Sequence, residues 1–494
     1  MPGAATFAEE EKMFDVNPTH NPKIFGKDSG WVEQASGFWE ASRGIDYVCA
    51  VDENVVWAKN YDGSGAGAAV QEFTRTIDGG ENWEADVIFG APDEGDLAMI
   101  FGLDADHAWV PIHSGDPQGI WATTDGGDTW TRQTTADYNG VGSFPNIVHF
   151  WDENNGWCQG DPVDGYYEMY TTTDGGNNWI RVPTENIPAP YSGEYGVVGY
   201  YDVVGDTIWW GTANAYPLRV FKSTDRGYTW TAADTPFDSG AYIDVRFKDQ
   251  MNGLAMDKTA DGVGPIAETS DGGATWSLIS YTGTCYNADF DYVPGTDNMY
   301  VSTGVFTNDP LLQGASYSLD GGHSWTTWPE MEGTQLYGTD WIEGGIGWAG
   351  SFNVDEYTGG IYKYTQGENL APGAPDIDGP VSGSAGTSYD YDFTAIDPNG
   401  DQVQYYIDWG DGETEWTSLA PSNTPVTVSH TWAAKDDYVI TANAKDEYGL
   451  EGPEATLPIT MPRNRAVNMP FLQFLQFLQY HPNMFPILRY FLKL

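Results

Sequence analysis

The stretch Thr76-Ile77-Asp78-Gly79-Gly80-Glu81-Asn82-Trp83 decides how this chain is read, because it is written six times. It returns at Thr123–Trp130, Thr172–Trp179, Ser223–Trp230, Thr269–Trp276 and Ser318–Trp325. Each copy holds a hydroxyl residue, Asp two places on, Gly two beyond that and Trp three after the Gly. The aspartates fall at 78, 125, 174, 225, 271 and 320, in steps of 47, 49, 51, 46 and 49 residues. A period of that size is the signature of a propeller or a solenoid.

One copy can be read physically. A β-branched or aromatic run leads in, as in Glu168-Met169-Tyr170-Thr171-Thr172. A polar turn follows, then a Trp-led run, Trp179-Ile180-Arg181-Val182. This is a β-hairpin. The Gly takes a positive φ without a Cβ penalty. The short carboxylate accepts backbone N–H bonds within its own turn. The Trp buries a large ring and offers its indole N–H nearby. Asp78, Asp125, Asp174, Asp225, Asp271 and Asp320, with Trp83, Trp130, Trp179, Trp230, Trp276 and Trp325, therefore read as structural.

Ser/Thr-x-Asp-x-Gly-x-x-Trp resembles the Asp-box, or BNR, repeat of sialidase-type β-propellers. The same repeat occurs in photosystem II assembly factors, sortilin-like receptors and xyloglucan-degrading hydrolases. The resemblance implies an all-β propeller and leaves function open, since this fold hosts unrelated activities. Six strand sets carry the repeat, and a seventh, Leu336–Ile342, Gly347–Phe352 and Gly360–Thr365, lacks both the repeat and a fourth strand. Trp31–Glu40 is free to supply that strand. The expectation is a seven-bladed propeller over 31–365 whose last blade is completed by the N-terminal strand, a closure that removes exposed sheet edges.

Acidic residues number 72 against 21 basic ones, a net charge of −51. That excludes a basic nucleic-acid footprint and suits a solvated acidic surface, cation binding or high salt. The cysteines, Cys49, Cys158 and Cys285, form no C-x-x-C pair, and buried free thiols are expected, with one long-range bridge left open. No apolar run reaches the length of a membrane span. Residues 1–30 read as a loose leader with Glu9-Glu10-Glu11 and no apolar core, which is not a signal peptide. The chain is then either intracellular or shown without a secretion signal, and its domain company favours the second.

Residues 366–372 read as a linker. Over 373–461, Trp409-Gly410-Asp411-Gly412, then His430-Thr431-Trp432, then the alternating strand Tyr438–Ala444 appear in order. This resembles a PKD domain, an immunoglobulin-like β-sandwich of extracellular proteins, in which these residues shape turn and core. His430 is read as packed and structural. The tail, 462–494, has Arg463, Arg465, Arg489 and Lys493 and no acid. Phe471–Tyr480 reads as a helix with a wide apolar face, either packed as part of a helical hairpin or serving as an attachment element for a membrane surface or protein partner.

In a four-stranded blade the repeat hairpin joins strands three and four. The strand-two-to-three loops and the blade-to-blade loops lie on the opposite face, where variable loops on a rigid scaffold carry binding. Asp116, Asp161, Asp164, Asp257, Asp309 and Asp355, with Tyr191, Tyr195 and Tyr242, are the candidate ligand residues there. Rings beside carboxylates suit sugar stacking or a cationic partner, and also ordinary loop packing. A sialidase requires an arginine cluster for its acidic sugar. The propeller arginines do not supply one, Arg246 alone being placed on an inner strand. His107 and His113 lack a third metal ligand. No cofactor is expected, though the turn Asp397-Pro398-Asn399-Gly400-Asp401 offers the oxygen ligands calcium prefers. The reading is an extracellular or cell-surface binding protein for a glycan or protein. Its alternatives are a secreted glycoside hydrolase using two loop carboxylates, which would need a defined separation, and a surface-layer or filament component.

Overall fold

The computed structural model describes residues 30–237, 241–258, 263–305, 309–365, 367, 370–398, 400–447, 449–461 and 469–480. The leader up to residue 29, residues 462–468 and the tail after residue 480 lie outside the described residues, and so do all four basic residues of the tail. Two compact units result, Gly30–Gln366 and a second from Gly367 onward.

The first unit is a ring of seven antiparallel blades among the described residues. Blade three shows the pattern: Pro145–Phe150, Gly156–Val163, Tyr166–Thr172 and Trp179–Arg181 pair in sequence order. Second strands carry Trp57, Trp109, Trp157, Trp209 and Trp348, each at 2% exposure or less. These rings fill the cores around and between the blades.

The ring closes through the N-terminal strand. Gly30–Ala35 pairs antiparallel with Thr358–Thr365, in a register from Gly30↔Thr365 to Ala35↔Gly360, and supplies the seventh blade's fourth strand. Trp31 anchors it, with its ring edge-on to Trp328, Trp341 and Tyr364 at 5.6, 5.7 and 5.3 Å. This strand is shorter than the run 31–40 expected from sequence. Gly37 turns the chain away at φ +78°, and a Cβ there would meet the Trp83 carbonyl oxygen at 2.7 Å, so only glycine fits the bend.

In the second unit a three-stranded sheet (Asp376–Asp378, Tyr389–Thr394, Val426–His430) and a four-stranded sheet (Val403–Asp408, Thr414–Trp416, Asp437–Asp446, Ala455–Thr460) enclose one core. His430 stacks on Trp409 at 4.5 Å, and its Nε2 lies 2.8 Å from Asp411 Oδ2, a packed structural histidine. Asp397 and Asp401 are buried in their turn, where the Asp397 carboxylate accepts the Asp401 amide at 3.1 Å. The described part of the tail is one helix, Met469–Tyr480. No helix among the described residues is long and apolar enough to cross a membrane.

Candidate functional site

The six repeated aspartates do not meet. Each is bound within its own turn. Asp225 Oδ1 accepts the Ser223 hydroxyl and the Thr229 amide, both at 2.8 Å, and Oδ2 accepts the Thr229 hydroxyl at 2.6 Å. The same net recurs at Asp78, Asp125, Asp174, Asp271 and Asp320. At Asp271 the Thr275 hydroxyl and amide hold the carboxyl down to about 2. The tryptophans that end these turns are buried. Trp83 and Trp179 donate to Gln34 and Gln133 on the outer strand of the neighbouring blade, while Trp230 and Trp325 donate to the glycine carbonyl of their own turn. For Trp130 and Trp276 no indole hydrogen bond is formed.

The inner strands of the blades wall a central channel. They are Arg43–Ala50, Asp96–Leu97 with Phe101–Gly102, Pro145–Phe150, Tyr201–Val204, Ile243–Phe247, Asp289–Tyr292 and Thr339–Ile342. A cavity of about 490 Å³ opens there. Its wall combines inner-strand residues with the blade-to-blade connections, at the strand ends away from the repeat turns. Asp46, Lys59, Asn146, Asp161, Arg246 and Asp289 supply the polar groups, and Tyr47, Phe144, Tyr195, Tyr200, Tyr242 and Tyr337 the rings.

Side chains alternate faces along a strand, so Asp244 and Arg246 face the channel together, as do Asp289 and Asp291. Arg246 is held by Asp244 at 2.5 Å and by Asp289 and Asp291 at 3.3 Å each. Lys258 meets Asp244 at 3.5 Å and donates to the Ala288 carbonyl at 2.6 Å. Lys59 pairs with Asp46 at 2.9 Å. Seven aspartates (46, 161, 202, 244, 289, 291 and 340) thus stand against three cations. Burial raises most of them. Asp244 is pushed up to about 7 against the pull of Arg246 and Lys258. Asp161 is pushed up to about 6 despite bonds from Asn146 and the Gly196 amide at 2.8 and 3.0 Å. Asp340 rises to about 6 by burial, and Asp291 beside it rises further, by burial and then by the charge of Asp340.

Of the residues expected on the ligand face, the structure brings Asp161, Tyr195 and Tyr242 to this cavity. The others lie outside its lining. Asp116 is exposed in its loop, Asp164 sits at a hairpin tip with φ +56°, Asp309 caps a short turn through the Leu311 amide, and Asp355 accepts the Tyr357 amide. Asp257 is fully buried at the end of its strand, so it is not a surface ligand residue. Tyr191 lies over the Arg219 guanidinium at 3.9 Å, covering that residue's buried bond to Glu194. Sequence reasoning missed Asp46, Asn146, Asp289, Tyr47 and Tyr200. Their signal is the polar alternation of the first strand in each set, as in Asp244-Val245-Arg246 and Asp289-Phe290-Asp291.

The propeller arginines all have partners: Glu72 for Arg43, Glu84 for Arg75, the Gln118 carbonyl for Arg132, Glu168 for Arg181, Glu194 for Arg219 and Asp206 for Arg226, with Arg246 bound as above. Among the described residues these guanidinium groups form no cluster for an acidic sugar. On the repeat-turn face, donor atoms of Asp104, His107 and Glu153 lie within 4.8 Å of one another, giving His107 neighbours that sequence spacing did not show.

The second unit's paired sheets, buried Trp409 and stacked His430 fit one family, and the comparison agrees. Residues 379–459 match the PKD domain family. The PKD domain of an M14-like peptidase from a Thermoplasmatales archaeon is 46% identical, covering 19% of this chain and all of that one, at a TM-score of 0.19. A Trypanosoma rangeli sialidase mutant displaying trans-sialidase activity is 9% identical over 90% of this chain and 94% of its own, at a TM-score of 0.39. A curated xyloglucanase from Paenibacillus sp is 24% identical over 308 residues, 60% of this chain. The chain spans about a quarter of that relative's length.

Proposed function

We propose that this is an extracellular or cell-surface carbohydrate-binding protein, with the PKD domain as a spacer and the propeller cavity as the saccharide site. The observation that carries the reading is the cavity: tyrosine rings beside convergent polar groups, at the loop end of a rigid ring. Rings provide stacking faces, and Asp161, Asn146 and Asp46 provide acceptors and donors for hydroxyls. The PKD match and the xyloglucanase relative support an extracellular, carbohydrate-related setting.

One observation favours a second reading, a glycoside hydrolase. Asp161, raised to about 6 by burial, faces the same cavity as Asp46, which burial also raises, and a pair of carboxyls, one of them protonated, is what such hydrolysis uses. A glycan array followed by hydrolysis assays on the bound sugars tests both. Binding without product, weakened in Tyr195→Ala, is expected. Turnover abolished by Asp161→Asn establishes the hydrolase, and a blank array overturns both readings.

A further inference from the structure

We infer that the saccharide taken by this cavity carries an ammonium group, so that the site selects amino sugars over neutral and acidic ones. The inference rests on the carbohydrate-binding reading above. Four observations support it.

The cavity lining has a surplus of carboxylates, Asp46, Asp161 and Asp289 against Lys59 and Arg246. Arg246 is saturated by three aspartates, Lys59 by Asp46 and Lys258 by Asp244. No cation is left over for an anionic ligand, whose charge would meet like charge in a poorly solvated channel. Second, one oxygen of a carboxylate in the cavity lining has no hydrogen-bond partner. Asp46 Oδ1 is buried without a hydrogen-bond partner, although Oδ2 is bound to Lys59. A buried acceptor without a donor is costly, and an ammonium brings three donors.

Third, the rings suit a cation. Tyr195, Tyr200, Tyr242 and Tyr337 line the cavity, and Tyr195 remains 43% exposed. An aromatic face attracts an ammonium, more strongly where water is excluded. Fourth, the propeller already binds one ammonium this way. Lys258 Nζ lies 4.7 Å from the centre of the Tyr200 ring while facing Asp244. A second ammonium entering beside Asp46 or Asp161 would repeat that arrangement.

The test is calorimetric titration of the full chain with tetraglucosamine, its N-acetylated counterpart, cellotetraose and a lysine-containing tetrapeptide. The expected result is that tetraglucosamine binds about tenfold or more tightly than the two uncharged sugars. Asp161→Asn, checked by its unfolding temperature, should remove most of that margin, while Tyr195→Ala weakens all three sugars. Equal affinity for the three sugars overturns the ammonium preference and leaves the carbohydrate reading standing. Binding of the peptide alone supports ammonium recognition and overturns the carbohydrate reading. Tighter binding of the uncharged sugars, or no binding at all, overturns the inference.

Discussion

Replacing Asp340 by Asn should make the propeller less sensitive to rising pH. In the folded chain this carboxyl titrates near 6 because burial outweighs the Ala50 amide bond and the pull of Arg246. Unfolded, it titrates near 4. A group raised on folding contributes stability that is fully present below the unfolded value and is lost as pH climbs through the folded one. Two decades of proton affinity correspond to about 3 kcal/mol, so the wild type sheds that amount between about pH 4 and pH 7. The propeller unit spans Gly30–Gln366, and at about 2.1 cal/mol/K per residue its unfolding entropy is roughly 0.7 kcal/mol/K. The loss then corresponds to about 4 °C in melting temperature. Asn keeps an oxygen for the Ala50 amide, which Asp340 binds at 2.6 Å, and carries no charge at any pH. Thermal melts by circular dichroism at pH 4.5, 6 and 8 measure the difference. The variant should gain about 3 °C on the wild type between the lowest and highest pH, part of the loss being complete by pH 4.5. A residual slope should remain from Asp46, Asp161, Asp202, Asp244 and Asp291. Parallel curves for the two proteins would refute the assignment.

Other expectations follow from the same geometry. Asp225→Ala removes three accepted hydrogen bonds in a partly exposed turn, which at the low end of their usual worth costs about 2 kcal/mol; the melt should drop by about 3 °C, with saccharide binding intact. The repeat aspartates are held below their ordinary range, Asp271 at about 2, so their contribution is present above pH 4 and is lost as acid approaches 2, which a melt at pH 2.5 should register as a fall. Arg246→Ala leaves Asp244, Asp289 and Asp291 without their shared cation and should destabilise by roughly 3–5 kcal/mol, read by denaturant unfolding. Removing residues through Ala35 exposes the edge of Thr358–Thr365, and light scattering should then show association that the full chain lacks.

The repeat turn was legible because every fixed position in it has a local reason. Hydroxyl, carboxylate and glycine act within eight residues, and no distant partner is needed to interpret them. The blade count was legible because a strand set without its fourth member, paired with a lone strand at the other end of the chain, has one economical solution. The cavity was harder. Asp46, Asp289 and Asp291 alternate with apolar neighbours as on any half-exposed strand, and only closure of the ring turns that exposed face into a channel wall. Asp161 could not be separated from Asp116, Asp164 or Asp355 by composition. What separates them is distance from the ring axis, which depends on where each loop folds back.

Aspartate does two opposite things here, and position in the blade decides which. In the repeat turns it stands near solvent, accepts amides and hydroxyls from its own hairpin, and is held ionised. On the inner strands Asp202, Asp291 and Asp340 are buried and driven toward their protonated form. There aspartate reaches across to the next blade. Asp202 accepts the Phe247 amide, Asp289 that of Thr339, Asp291 that of Trp341 and Asp340 that of Ala50. Apart from the bridge Gly44↔Phe352 between the first and seventh blades, the named strands of neighbouring blades pair in separate sheets, so side chain to backbone bonds of this kind are a means of tying neighbours together near the centre. The last of these bonds joins the seventh blade to the first. The carboxylates that stitch the ring therefore surround the cavity, and the excess negative charge that would draw in a cationic sugar is a consequence of how the ring is held shut.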